Sequence, residues 1–164
     1  MGVVTAAPAS VVVRPYAPSE AGVILAIFRA AVRIGARRDY SQEQVEAWAP
    51  DEIDFTGWSA RRTGRLTWVA EVAGEPAGFT DLEPNGHLDM LYVHPDHHRR
   101  GVATALLATA EASARAKKLR RLYTEASLTA RPAFEASGYR VIAAQTVQFN
   151  GRSFRNFRME KRLA

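Results

Sequence analysis

Between residues 66 and 93 the chain runs through three short β-type segments, 66–72, 77–82 and 87–93, each cut from the next by turn chemistry. Ala73-Gly74-Glu75-Pro76 and Pro84-Asn85-Gly86 gather glycine, proline and asparagine where the apolar runs stop, the pattern of tight reversals. Any fold for this chain has to accommodate that antiparallel meander. Upstream, Val11-Val12-Val13-Arg14 is β-branched and predicts a strand ended by Pro15. Ser19-Glu20 then opens a helix whose Ile24, Ile27, Phe28 and Ala31 share one stripe. Ser41-Gln42-Glu43-Gln44 has the form of a capping box ahead of Val45 and Trp48. Pro50-Asp51-Glu52 predicts the start of a further short helix carrying Ile53 and Trp58.

Downstream, Ala103, Leu106, Leu107, Ala110 and Ala114 recur on one face of the clearest helix, with Lys117-Lys118 near its C-terminal end, where cations suit the dipole. Residues 122–126 predict a strand parallel to the run ending at Val93, reached by a right-handed crossover. Residues 129–137 read as a short helix stopped by Gly138, and 139–149 with 152–161 as a closing hairpin around Asn150-Gly151. The predicted order is β-α-α-α-β-β-β-α-β-α-β-β, an α/β fold with a mixed sheet (α+β), in one domain over residues 11–164. Splitting 164 residues further would leave pieces too small to bury good cores. Residues 1–10 lack the basic and apolar regions of a signal peptide and read as a disordered leader. No run of eighteen apolar residues predicts a membrane-spanning helix.

The chain has no cysteine, which excludes disulfides, thiolate metal sites and a cysteine acyl-enzyme, and fits a reducing, cytoplasmic setting. Its net charge of +5 is spread along the sequence, apart from clusters at Arg61-Arg62, Arg99-Arg100 and residues 117–121. Such a balance serves either as a solvated surface or to attract an anionic ligand. A nucleic-acid binder would need a helix-turn-helix or RNA motif that the chain lacks, so neither nucleic acid nor membrane is an expected partner. Monomer and homodimer both stay open.

The stretch that carries chemistry is LDMLYVHPDHHRRGVATALL, residues 88–107. A strand ends at Val93, Pro95 turns the chain, and a basic glycine-containing loop opens a helix. A helix start leaves backbone N–H groups unpaired and carries partial positive charge, so it attracts phosphate. Gly101 permits close backbone approach, Ala103 keeps the first turn unobstructed, Arg99 and Arg100 add charge, and Thr104 adds a hydroxyl. The residues alone say only that an anion suits this turn. They lack the G-x-x-x-x-G-K of a nucleotide-triphosphate loop and the G-x-G-x-x-G of a dinucleotide fold.

Val93-His94-Pro95, then Arg99-Arg100-Gly101-Val102-Ala103 and Leu106-Leu107, resembles the acetyl-CoA signature of the GNAT superfamily of N-acetyltransferases. The family's fold implies the element order read above. The resemblance implies that the backbone of Leu91 and Val93 bonds the pantetheine arm and acetyl carbonyl, with Tyr92 between them. It implies that His98, Arg99, Arg100, Gly101, Val102, Ala103 and Thr104 wrap the pyrophosphate, mostly through main-chain N–H groups. His98 stands where the family has glutamine or arginine. A second family motif aligns with Ser127, Ala130, Phe134, Gly138 and Tyr139. Ser127 replaces the family's asparagine and still offers a hydroxyl to the arm. Phe134 replaces the tyrosine that often protonates the departing thiolate; it can pack against the cofactor but cannot donate a proton.

Acetyl transfer to an amine needs a base. Asp89, on the strand that ends at the acetyl position, is the first candidate for base or amine anchor; its plain alternative is a solvent-facing strand residue. Glu125 is the second, and Tyr123, on the same strand face, is a possible proton donor. Tyr92 alternates to the opposite face from Asp89, and Tyr40 is a candidate for the substrate wall. His94, Asp96, His97 and His98 raise a metal reading, but one tight turn without a distant ligand favours surface and phosphate-facing histidines and no metal. Trp48, Trp58 and Trp68 read as core or cleft-wall aromatics. The resulting expectation is direct acetyl transfer from acetyl-CoA to a primary amine of a small molecule or peptide. The rival is a non-catalytic acyl-CoA-binding sensor or interaction domain, which the loss of tyrosine at Phe134 favours.

Overall fold

The computed structural model describes residues 10–163; the leader expected over residues 1–10 lies almost wholly outside them. The chain begins with β1 (Val11–Pro15), followed by α1 (Ala21–Ala30), which continues through a wide turn at Ala31–Gly35. Next come α2 (Gln42–Trp48) and α3 (Phe55–Ala60). The meander is β2 (Leu66–Val72), β3 (Glu75–Leu82) and β4 (Leu91–Val93). Then follow α4 (Val102–Ala116), β5 (Arg121–Ser127), α5 (Arg131–Ala136), β6 (Arg140–Phe149) and β7 (Arg152–Arg162). The order of helices and strands is the one the sequence predicts. The Ser41–Gln44 capping box forms as expected, with the Gln44 N–H donating to Ser41 Oγ at 3.1 Å. The helix expected from Pro50 starts later, with Asp54 at its N-cap.

The strands make two antiparallel sheets, β1-β2-β3-β4 and β5-β7-β6. They are stitched together at one place. His87 bridges Tyr123 in parallel, Tyr123 N–H donates to Gly86 O (3.1 Å), and Leu88 N–H donates to Tyr123 O (2.9 Å). The Thr124 hydroxyl donates to Leu88 O at 2.8 Å. Gly86 is required there: its φ is +95°, and an added Cβ would lie 2.4 Å from Arg121 O.

Beyond that stitch the sheets part. The strand expected over residues 87–93 is therefore not continuous. A single bridge at His87 is followed by an irregular step at 88–90 and then by β4. Asp81 causes the step: its Oδ1 accepts the successive N–H groups of Asp89 and Met90, both at 3.0 Å. Two neighbouring N–H groups aimed at one oxygen cannot belong to a regular ladder, in which they alternate sides.

The apolar stripes form three buried clusters. Ile24, Ile27, Phe28, Val32, Val45, Trp58 and Phe79 join α1–α3 to the first sheet. Leu107, Ala110, Leu122, Phe134 and Met159 join α4 and α5 to the second. Val102 and Leu106 of α4 pack on Ala70, Val72 and Ala77. Gly78 permits this last contact, since a Cβ there would sit 2.8 Å from Tyr92 O and 2.9 Å from Val102 Cγ1. The N-terminal end of α4 is thereby pressed against β3, next to where the sheets open.

Candidate active site

The opening between β4 and β5 is the centre of the site. Main-chain groups of Met90 and His94 bond β3, the latter through His94 N–H to Ala77 O at 2.8 Å. By the alternation of an antiparallel edge, the peptide groups of Leu91 and Val93 face the other way, into the gap. Beyond the bridge at Tyr123, β5 pairs with β7 on its far side, so nothing among the described residues fills the gap with a ladder.

Two cavities meet there. The smaller, about 360 Å³, runs from Leu91–Val93 to the start of α4 and reaches Gly35 on the wide turn after α1 and Arg38 just beyond it. Gly101 is the N-cap of α4 at φ +78°, and no side chain caps the helix, so its first-turn N–H groups open into this space. An added Cβ on Gly101 would meet nothing within 4 Å, so the φ and an unobstructed approach favour glycine there. Arg99 also lies at positive φ, +60°, a conformation costing a non-glycine residue about 1 kcal/mol. The cavity takes in Leu91, Tyr92, Val93, His98, Arg99, Gly101, Val102, Ala103, Thr104, Ser127 and Ala130 of the expected set. Arg100 is exposed and lines neither cavity, and Phe134 belongs to the other one.

The larger cavity, about 780 Å³, lies between α1–α3, the tip of the β6–β7 hairpin and the open edges of β4 and β5. Trp48, Leu91, Tyr92, Ser127 and Ala130 line both spaces and mark where they join. Phe28, Tyr40, Trp58, Phe149 and Phe154 add aromatic wall. Asp89 and Glu125 both line it, and Glu52 and Asp54 join them from the loop before α3, with Arg61 as the opposing cation. This acidic lining belongs to a chain of net charge +5.

The candidate acid and base groups are placed differently. The Asp89 carboxylate is held by Arg65 at 3.0 Å. Glu125 faces His87, whose Nε2 is 3.0 Å from Oε1 and 3.1 Å from Oε2. Tyr123 lines neither cavity; its hydroxyl accepts from Asn85 at 2.8 Å and its ring lies between His87 and Arg121. Tyr40 lines the larger cavity, and its hydroxyl donates to Arg155 O (2.6 Å) while accepting Leu128 N–H (2.9 Å). Burial raises its pKa. Burial also holds Tyr92 well above the ordinary phenol range, packed against Phe28 and Phe79. Phe134 is buried against the edge of Tyr139, and the Tyr139 hydroxyl is buried without a partner.

Four positions around the site escape a sequence reading. His87, the buried Asp81 and Arg62, and the partly buried Arg65 underlie the site from behind. Asp81 is fully buried, bonded by Arg62 (2.9 Å) and Arg65 (3.1 Å). Burial raises its pKa against the opposing pull of the backbone N–H groups and the two guanidiniums, and burial lowers that of Arg62. One signal was available: an aspartate inside the otherwise buried segment 77–82. The histidines of the turn do not converge. His94 Nδ1 accepts Asp96 N–H, His97 is buried, and His98 lies against Gly35; no three such side chains come together as metal ligands among the described residues.

Sequence comparison then identifies the architecture. A family model described as an acetyltransferase (GNAT) domain matches residues 36–163. The chain belongs to the GNAT family of acetyltransferases. Its relative YafP, an N-acetyltransferase of Escherichia coli (strain K12), is 37% identical over 147 residues, covering 90% of this chain and 93% of the relative. A GCN5-related N-acetyltransferase from Rhodopseudomonas palustris superposes with a TM-score of 0.88 at 39% identity, over 99% of this chain and 100% of that one. YncA of Salmonella typhimurium, whose structure contains acetyl-CoA, shares the fold at a TM-score of 0.71 and 18% identity, over 94% of both chains. Membership of the GNAT family makes the protein an acetyl-CoA-dependent N-acetyltransferase. Among the described residues no helix is long and apolar enough to cross a membrane.

Proposed function

We infer that the smaller cavity takes acetyl-CoA and the larger one a primary amine, which is acetylated directly where the two meet. The observation that carries this reading is the junction itself. Unpaired peptide groups of Leu91 and Val93 edge a gap that runs to the uncapped N-terminus of α4 on one side and to an acidic, aromatic cleft on the other. The residues fit the cosubstrate: N–H groups and Thr104 at the helix start suit a pyrophosphate, with Arg38 and Arg99 adding charge. Pantetheine, an amide-bearing chain, can take the place of a strand beside β4 and use the peptide groups of Leu91 and Val93.

The second cavity selects for charge. Glu52, Asp54, Asp89 and Glu125 outnumber Arg61, so an amine arriving as its ammonium ion is attracted while carboxylates and phosphates are repelled. The aromatic wall suits the apolar body of such a cation. The acceptor class we assign is therefore a cationic primary amine, of a small molecule or a peptide N-terminus. Glu125 or Asp89 takes the proton that the ammonium must lose before its nitrogen can attack. Holding both reactants at one junction supplies much of the acceleration.

Calorimetric titration with acetyl-CoA tests the cosubstrate half. One-to-one binding is expected, weakened about a hundredfold, or roughly 2.7 kcal/mol, by Gly101→Asp, which sets a carboxylate among the phosphate-facing N–H groups. Absence of binding by the unaltered protein would overturn the assignment.

A further inference from the structure

His87 is bonded on both sides of its ring to carboxylates. Nδ1 lies 3.1 Å from Glu83 Oε2, and Nε2 lies 3.0 Å from Glu125 Oε1. The ring packs tilted against Tyr123 with centroids 4.9 Å apart, and the Arg121 guanidinium lies 4.5 Å from the centre of that tyrosine ring. Arg65 holds Glu83 at 2.8 Å while also bonding Asp81 and Asp89. Asn85 completes the surroundings, accepting the His87 N–H at 3.1 Å and donating to the Tyr123 hydroxyl. Glu125 lines the acceptor cavity; His87 and Glu83 do not. The three side chains thus form a line that begins in the cleft and ends behind it, on a carboxylate still in contact with solvent.

We propose that His87 is a positioning and proton-export residue, carrying the proton that Glu125 removes from the acceptor ammonium out of the cleft to Glu83. The inference rests on the acetyl-transfer reading above. The proton balance is closed. Of the three protons on the ammonium nitrogen, one passes to Glu125 before attack. A second goes to the departing thiolate as the new C–N bond forms and the C–S bond breaks, and the third stays on the amide. No separate protein acid is required, which accommodates Phe134. The proton on Glu125 moves to Nε2, the Nδ1 proton moves to Glu83 and on to solvent, and solvent restores the starting tautomer between turnovers. During transfer the imidazolium lies between two carboxylates, which stabilise its charge.

The geometry also separates the two candidate bases. Asp89 is tied to a guanidinium, which holds no exchangeable proton vacancy at neutral pH. Glu125 faces a ring that can both accept and donate. The proton route therefore assigns Glu125 as the base and leaves Asp89 to anchor the ammonium.

The test uses acetyl-CoA with phenethylamine, putrescine and a tripeptide with a free N-terminus, following thiol release. His87→Ala should lower kcat about tenfold or more, within the range expected for a proton-transfer group. KM for both substrates should stay within about twofold, and added imidazole should restore kcat, more so for more basic substituted imidazoles. A structural role would not respond to imidazole basicity. Glu83→Gln, which touches neither cavity, should lower kcat and raise the solvent isotope effect. An unchanged kcat in Glu83→Gln, or a His87→Ala loss that imidazole does not restore while the folded state is intact, would overturn the relay alone. No thiol release by the unaltered protein with any of the three amines would instead overturn the acceptor assignment, and the relay with it.

Discussion

The two ends of the seam between β4 and β5 are built from the same kind of backbone and do opposite things. At the closed end, Gly86 and Leu88 exchange hydrogen bonds with Tyr123 and Thr124. At the open end, a few residues further, Leu91 and Val93 face Ser127 and Ala130 across a cavity with no ladder between them. Unpaired edges elsewhere invite unwanted strand addition. Here the edge lines the cavity proposed to take acetyl-CoA. The switch between the two ends is Asp81, which draws off the N–H groups of Asp89 and Met90. Closure supplies stability, and its interruption opens the cavity.

The largest break in this contrast comes from Asp81→Ala. It strands the Arg62 guanidinium, 3% exposed, and leaves two N–H groups unpaired. The expected loss is about 3–5 kcal/mol, seen as a lower midpoint in urea unfolding. An unfolding free energy within about 1 kcal/mol of the parent would show that the buried pair does not hold the step. Gly86→Ala attacks the closed end directly, because its Cβ would meet the Arg121 carbonyl and φ is +95°. Thermal unfolding should report about 3 kcal/mol of destabilisation. If acetyl-CoA binding survived unchanged in folded Gly86→Ala protein, the open end would be independent of the stitch.

Ser127→Ala probes the open end with a smaller expected effect. Ser127 Oγ accepts the Ala130 N–H at 3.0 Å and lines both cavities. Loss of this turn bond should cost about 1 kcal/mol of stability. Any direct use of the hydroxyl by the pantetheine arm would add a rise of about tenfold in the acetyl-CoA dissociation constant, measured by calorimetry. Stability lost with affinity unchanged would confine Ser127 to the turn.

Much of the fold is legible because its signals are local. The capping box at Ser41, the Asn150-Gly151 hairpin and the stripe of Leu106, Leu107 and Ala110 each act within a few residues. The anion-seeking start of α4 is legible for the same reason, since Gly101 and the unpaired N–H groups are neighbours in sequence. The segment 87–93 was not: alternation predicts an unbroken strand, and only a carboxylate on the adjacent strand interrupts it. Asp89 and Glu125 were recognisable as acids on adjacent strands, but nothing nearby distinguishes the one held by Arg65 from the one facing His87.

By itself the sequence determined the order of elements, the turn types, the glycine-capped start of α4 and the absence of any cysteine chemistry, all consequences of backbone preference and composition. The tertiary structure decided where the sheets part, which carboxylates share a cleft, and that His87 and Glu125, 38 residues apart, lie within hydrogen-bonding distance. Those outcomes depend on side chains meeting across the core. Such meetings follow from how whole sheets pack, and no short window of residues encodes them.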